Sequence, residues 1–175
     1  MRRAAVPLLL ALAAQVWAAA GLYQPPEQFV AEAFNGTPPK ARALWLDADV
    51  KTGLAEIFGH APAMLRIRYW HRGTRTVWIL EEIGKEKPIT TGIVVNDGAI
   101  EDMRVLVFRE SRGWEIRYPF FTDQFKDRRL TGRSELDGHI DGITGATLSV
   151  RAMKKMARAA LLLDHHARET RVALK

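Results

Sequence analysis

The chain has 175 residues, 47% of them apolar and 26% charged, with no cysteine and a formal net charge of +6. That length and apolar share suit one compact domain with a core of its own and leave no room for a second full domain. The missing cysteine excludes disulfides, a thiolate nucleophile, an iron–sulfur cluster, c-type haem attachment, a zinc–thiolate site and a lipoprotein anchor.

The first residues, MRRAAVPLLLALAAQVWAAA, place Arg2 and Arg3 before an apolar run from Ala4 to Ala14 and then small residues, the pattern of a secretory signal peptide. The run is shorter than the roughly 20 apolar residues of a spanning helix. Cleavage after Ala18 or Ala20 and export to the periplasm are expected, with an uncleaved signal anchor as the alternative. Without Arg2 and Arg3 the 26 Lys and Arg fall to 24, against 20 Asp and Glu, a net +4. So mild an excess suits a solvated surface of mixed sign, and is compatible with an acidic partner or with association at a membrane surface. No basic stripe interleaved with aromatics is present, and no nucleic-acid partner is expected.

Downstream, QPPEQFVAEAFNG spaces Phe29, Val30, Ala33 and Phe34 as one face of a short helix, with Pro25 and Pro26 before it and Asn35-Gly36 after it. A second helix is expected over Val50–Phe58, closed by Gly59, after a short apolar run at Ala43–Leu46. The period then changes. RIRYWHRG, TRTVWILEEIG, PITTGIVVNDGAIEDMRVLVFRES and GWEIRYPF are rich in Val, Ile, Thr, Tyr and Trp and separated by turn residues, which predicts four or five antiparallel strands. Asn96-Asp97-Gly98 is the clearest hairpin turn, and the nearly continuous apolar run at Val77, Ile79, Leu80 and Ile83 predicts a strand in mid-sheet. Residues 122–139 read as a polar loop with a helical turn near Asp123–Arg128. Leu148–Leu163 reads as a helix that buries Met153, Met156, Ala160 and Leu163 and exposes Arg151, Lys154, Lys155 and Arg158. The fold class is α+β: a twisted antiparallel sheet of about four to six strands with packed helices.

Just before the last helix stands Asp141-Gly142-Ile143-Thr144-Gly145-Ala146-Thr147. A helix N-terminus offers unpaired N–H groups and the positive end of the helix dipole, so it attracts phosphate. Gly142, Gly145 and Ala146 add little bulk there, and the hydroxyls of Thr144, Thr147 and Ser149 can donate to phosphate oxygens. A simple helix cap by Thr144 or Thr147 is the structural alternative. Neither reading explains Asp141, whose carboxylate repels a phosphate.

The seven residues resemble the Asp-x-x-Ser/Thr-Gly-Ala-Thr signature of the FMN-binding domain family, known from the covalent-flavin subunits of sodium-pumping NADH:quinone reductase and Rnf complexes. Upstream, Glu110 to Gly113 resembles the family's Glu-x-x-Gly element, and Phe121, Gln124 and Phe125 resemble its Phe-x-x-Gln-Phe segment. Val150 stands where many members carry another Ser or Thr, and the usual Thr after Glu110 is missing. The resemblance implies FMN as cofactor, joined by a phosphoester to Thr147 by a flavin transferase that uses FAD and magnesium, and Asp141 as the acid that transferase recognises. It implies that Thr144, Gly145, Ala146 and Ser149 surround the phosphate, and that Glu110, Trp114 and Phe125 contact the flavin, with Tyr118, Phe120 and Phe121 as further candidates for an aromatic slot. Ordinary core packing is the alternative for each aromatic residue, and a solvated strand-end acid for Glu110.

On that reading the chain divides into a signal peptide (1–20), an N-terminal helical segment (21–65), the FMN-binding domain (66–164) and a C-terminal tail (165–175). No catalytic residue and no resident metal are assigned. Glu135, Asp137, His139 and Asp141 read as a solvated loop and His165-His166 as helix-end cations, while His60 and His71 read as turn residues. The expected function is electron relay between membrane or periplasmic partners, a haem membrane protein or a cytochrome, more than stand-alone enzymatic turnover. Two alternatives stay open: a non-redox module with an unmodified turn, and FMN held without a covalent bond.

Overall fold

The computed structural model describes residues 21–173. The expected signal peptide lies outside the described residues. Among the described residues, no helix is long and apolar enough to cross a membrane.

The elements run α1 (Pro26–Ala33), β1 (Arg42–Trp45), α2 (Ala48–Phe58), β2 (Arg66–Arg72), β3 (Arg75–Ile83), β4 (Pro88–Asn96), β5 (Ala99–Phe108), α3 (Pro119–Thr122), β6 (Leu130–Thr131), β7 (Glu135–Leu136) and α4 (Thr147–Ala173). Strands β1 to β5 form one antiparallel sheet in sequence order, with β3 at its centre, and β6 pairs with β7 in a small separate ribbon. The architecture is therefore α+β, as the alternation of patterns predicts.

Local chemistry sets the joints. Asp47 accepts a hydrogen bond from the Val50 backbone N–H at 2.9 Å and so caps α2. Asp97 and Gly98 both have positive φ, the conformation a two-residue hairpin requires, and they join β4 to β5. The central strands are buried on both faces because helices cover both. Leu54, Trp78, Ile93, Met103, Met153 and Met156 belong to the core beneath α2 and α4. On the opposite face α1 presses Phe29, Val30 and Phe34 onto Val77, Val94 and Leu106. Helix α4 buries Met153, Met156, Ala160 and Leu163, and it continues ten residues past the expected end, to Ala173.

His71, expected in a turn, lies within β2, and His165 and His166, expected at a helix end, lie inside α4 because that helix runs on. Two segments differ from the sequence expectation as well. Ala43–Leu46 supplies an edge strand, β1, paired to β2 from Arg42↔Tyr69 to Trp45↔Arg66. GWEIRYPF is no strand: Trp114–Arg117 is a 3-10 turn and Pro119–Thr122 a short helix. Its composition is that of a strand, but the edge of β5 is already taken. Gly21–Tyr23 bonds along one end, with Phe108 N–H donating to the Gly21 carbonyl at 2.8 Å, and Asp127–Arg129 bonds along the other. The segment folds away and carries Phe121 and Phe125, both fully buried and packed edge to face at 5.5 Å, into the main core.

Candidate functional site

The signature turn ends in α4 without a side-chain cap. Gly145 sits at φ +83°, and the Ala146 carbonyl accepts the first helical bond, from Val150 N–H at 2.9 Å. Among the described residues, the N–H groups of Thr147, Leu148 and Ser149 have no acceptor in the chain, and the hydroxyls of Thr144, Thr147 and Ser149 make no hydrogen bond. A capping role for Thr144 or Thr147 is thus not realised. Three free donors converge where the helix dipole is positive, the arrangement that binds phosphate.

These donors face a cavity of about 570 Å³ lined by Gly145, Ala146, Thr147, Leu148 and Ser149 on one side and by Lys85, Glu110, Ser111 and Arg112 on the other. The volume lies within the roughly 300–1,000 Å³ typical of cofactor sites. Thr147 is exposed on it, whereas Ala146 is buried beneath. Lys85 and Arg112 supply cations to the rim, which suits a phosphate. The donor set and the space fit a phosphate-bearing cofactor.

Gly113 holds the opposite wall close. It has φ +86°, and a Cβ there would lie 2.8 Å from the Ser149 hydroxyl and 3.3 Å from the Ala146 Cβ. Only glycine combines that backbone conformation with that approach. Glu110 has a positioning role: one carboxylate oxygen accepts from the backbone N–H groups of Lys85, Glu86 and Lys87 at 2.5, 2.7 and 2.9 Å. Desolvation pushes the Glu110 carboxyl up, but the N–H groups of Lys87, Glu86 and Lys85 outweigh it and hold the carboxyl below the usual range. The acid pins the β3–β4 turn against the cavity.

The remaining expected residues separate by place. Thr144 is exposed beside the cavity and does not line it. Asp141 lies outside it as well, its carboxylate exposed and 3.5 Å from the exposed His139 ring, while its backbone N–H donates to Gln124 Oε1 at 2.7 Å. Phe121 and Phe125 lie in the core and do not line the cavity. Trp114, Tyr118 and Phe120 are exposed, and the Arg117 guanidinium lies 5.4 Å from the Trp114 ring, 4.9 Å from Tyr118 and 4.5 Å from Tyr23. This aromatic face adjoins the cavity through Gly113.

Lys85, Ser111 and Arg112 were not singled out by sequence reasoning. Lys85 is some sixty positions from the signature, and the β4–β5 register together with the Glu110 anchor brings its turn there. Among the described residues, no group of three His, Asp or Glu side chains is placed to hold a metal ion.

Comparison with known families places these residues in one unit. Residues 84–162 match the family model described as FMN-binding domain, a segment that holds every residue lining the signature cavity. The search of curated proteins returns no match. The chain thus carries an FMN-binding domain of that family over residues 84–162, and its cofactor is FMN.

Proposed function

We propose that the chain is an exported flavoprotein that carries FMN through a phosphoester to Thr147 and relays electrons between membrane or periplasmic redox partners. The observation that carries this reading is the uncapped start of α4. Three backbone donors and an exposed threonine hydroxyl meet at one point of a cavity in the FMN-binding segment. A threonine hydroxyl is a poor nucleophile unaided, so attachment belongs to a separate flavin transferase. Thr147 Oγ attacks the FMN phosphorus of FAD, AMP leaves, and the hydroxyl proton passes to the transferase, with no change of oxidation state. Asp141, exposed and outside the cavity, is the acid the transferase reads.

Bound FMN supplies one- and two-electron chemistry. The chain's residues orient it: the N–H groups of 147–149, with Lys85 and Arg112, hold the phosphate, and Glu110 and Gly113 fix the opposing walls. The exposed face of Trp114, Tyr118 and Phe120 around Arg117 suits a docking partner, a haem membrane protein or a cytochrome, whose contact surface is acidic.

Expression with the intact leader and a flavin transferase tests the reading. Yellow colour that survives denaturation, a mass gain of one FMN less one water, retention in Thr147→Ser and loss in Thr147→Val are expected. An adduct on Thr147→Val overturns the attachment site. Colour released by denaturation assigns non-covalent FMN instead, and absence of flavin overturns the redox reading.

A further inference from the structure

A second cavity, of about 590 Å³, has no part in the flavin site. Pairing between β2 and β3 ends at Tyr69↔Trp78, although β3 runs on to Ile83 and β2 stays paired with β1 to Arg66. The sheet forks there, and the cavity fills the fork. Ile67 of β2, Ile79 and Leu80 of β3, and Phe58, Leu163 and Val107 supply apolar wall. Met64, half exposed, forms part of its lip, and the neighbouring Leu65 is more exposed still. Most of these residues lie upstream of the FMN-binding segment, so the cavity is built by what this chain adds to that domain.

Its polar groups are few and mutually neutralised. Glu82 binds Lys155 Nζ at 3.0 Å and stands 3.8 Å from His60. Glu81 accepts from the Thr90 hydroxyl at 2.5 Å and lies 3.6 Å from Arg109. Arg109 makes its contacts to Glu81, Thr90 and the Pro88 carbonyl through Nη1 alone, so among the described residues its Nε and Nη2 donors have no partner in the chain. Apolar walls, balanced charge and spare N–H donors together favour a neutral occupant with a hydrogen-bond-accepting oxygen. A net anion meets two glutamates there, and a cation meets the arginine.

We propose that the fork between β2 and β3 binds a neutral, carbonyl-bearing lipophilic molecule, its apolar body between Ile67 and Ile79 and its carbonyl oxygen on Arg109. Arg109 and Glu110 are consecutive just past the end of β5, so the two cavities adjoin where the chain leaves that strand.

The test is equilibrium dialysis of the FMN-saturated protein against the neutral naphthyl ketone dye prodan and against a carboxylate-bearing analogue of it. Saturable binding of one prodan per chain is expected, with the carboxylate at least tenfold weaker. Ile67→Trp, which fills the fork from β2, is expected to weaken prodan binding at least tenfold at unchanged flavin content, and Arg109→Met several-fold. Ile79→Phe, filling it from β3, replaces Ile67→Trp should that variant lose its flavin. Absence of saturable binding, equal affinity for the carboxylate, or prodan affinity unmoved by the filling variant overturns the proposal.

Discussion

Gln124 Oε1 accepts a hydrogen bond from the Asp141 backbone N–H at 2.7 Å, so the segment after α3 tethers the first residue of the signature turn. The bond leaves the Asp141 carboxylate in solvent and fixes where it is displayed. Gln124→Leu removes the acceptor, at a cost of about 1 kcal/mol for one such bond. The expected result is a melting temperature lower by a few degrees and a flavinylation rate reduced several-fold under limiting transferase. Asp141→Ala is expected to slow flavinylation more strongly at an unchanged melting temperature. Equal rates in all three proteins contradict the display role.

Gly113→Ala tests the close wall. Its methyl group meets Ser149 Oγ and Ala146 Cβ, and its backbone is held at positive φ, so strain of about 1–2 kcal/mol is expected. The loop moves off the start of α4, and flavin content falls well below that of wild type at equal expression. Ser149→Ala, which only removes a hydroxyl, is expected to keep most of its flavin, as absorbance per chain will show.

Glu110 gives a pH dependence of defined sign. Its folded pKa is depressed, so its stabilising contribution is present above the unfolded value and is lost as pH falls through the folded one. Glu110→Gln keeps the shape and removes the charge. It is expected to cost about 1 kcal/mol at neutral pH for the charged hydrogen bonds, and the difference from wild type should close on acidification below the ordinary carboxylate range. Parallel denaturant titrations at neutral and acid pH read this directly.

Asp164 has the opposite sign. It is fully buried in α4, accepts from the Thr76 hydroxyl at 2.7 Å and lies 3.0 Å from Arg168 Nε. Desolvation pushes its carboxyl up, against the opposing effects of Thr76, Arg168, Arg171 and His165. With the folded pKa raised, stability is greatest below the unfolded value and falls as pH rises toward the folded value. Asp164→Asn does not titrate. Its melting temperature relative to wild type should therefore increase as pH rises through that range, and a constant offset would contradict the raised pKa.

Where one local pattern decides the outcome, the sequence was legible. The Asp97-Gly98 hairpin, the helix closed by Gly59 and the apolar stripe of α4 all form as their spacing predicts, because turn chemistry and helical period act within a few residues. GWEIRYPF failed for a non-local reason: its strand-like residues find the edge of β5 already occupied. The helix-start side of the cavity was readable because its groups are consecutive in the chain. Lys85 and Arg112 were not: the place of Lys85 depends on a distant turn held by Glu110, and that of Arg112 on the approach of Gly113 to Ser149. Phe125 shows the limit of a motif, which marks that a residue matters without telling core from cavity wall.

An uncapped helix start is a deficit that the cofactor makes good. Reversibly bound FMN makes that repair depend on free flavin and fade on dilution, since a ligand's stabilisation grows with the logarithm of its concentration over its dissociation constant. A phosphate tethered to Thr147, as proposed, would always be present at its own site. With the proposed tether, the long helix α4 would keep its first turn closed at any dilution, and the protein would keep both its cofactor and the stability that comes with it in a flavin-poor volume.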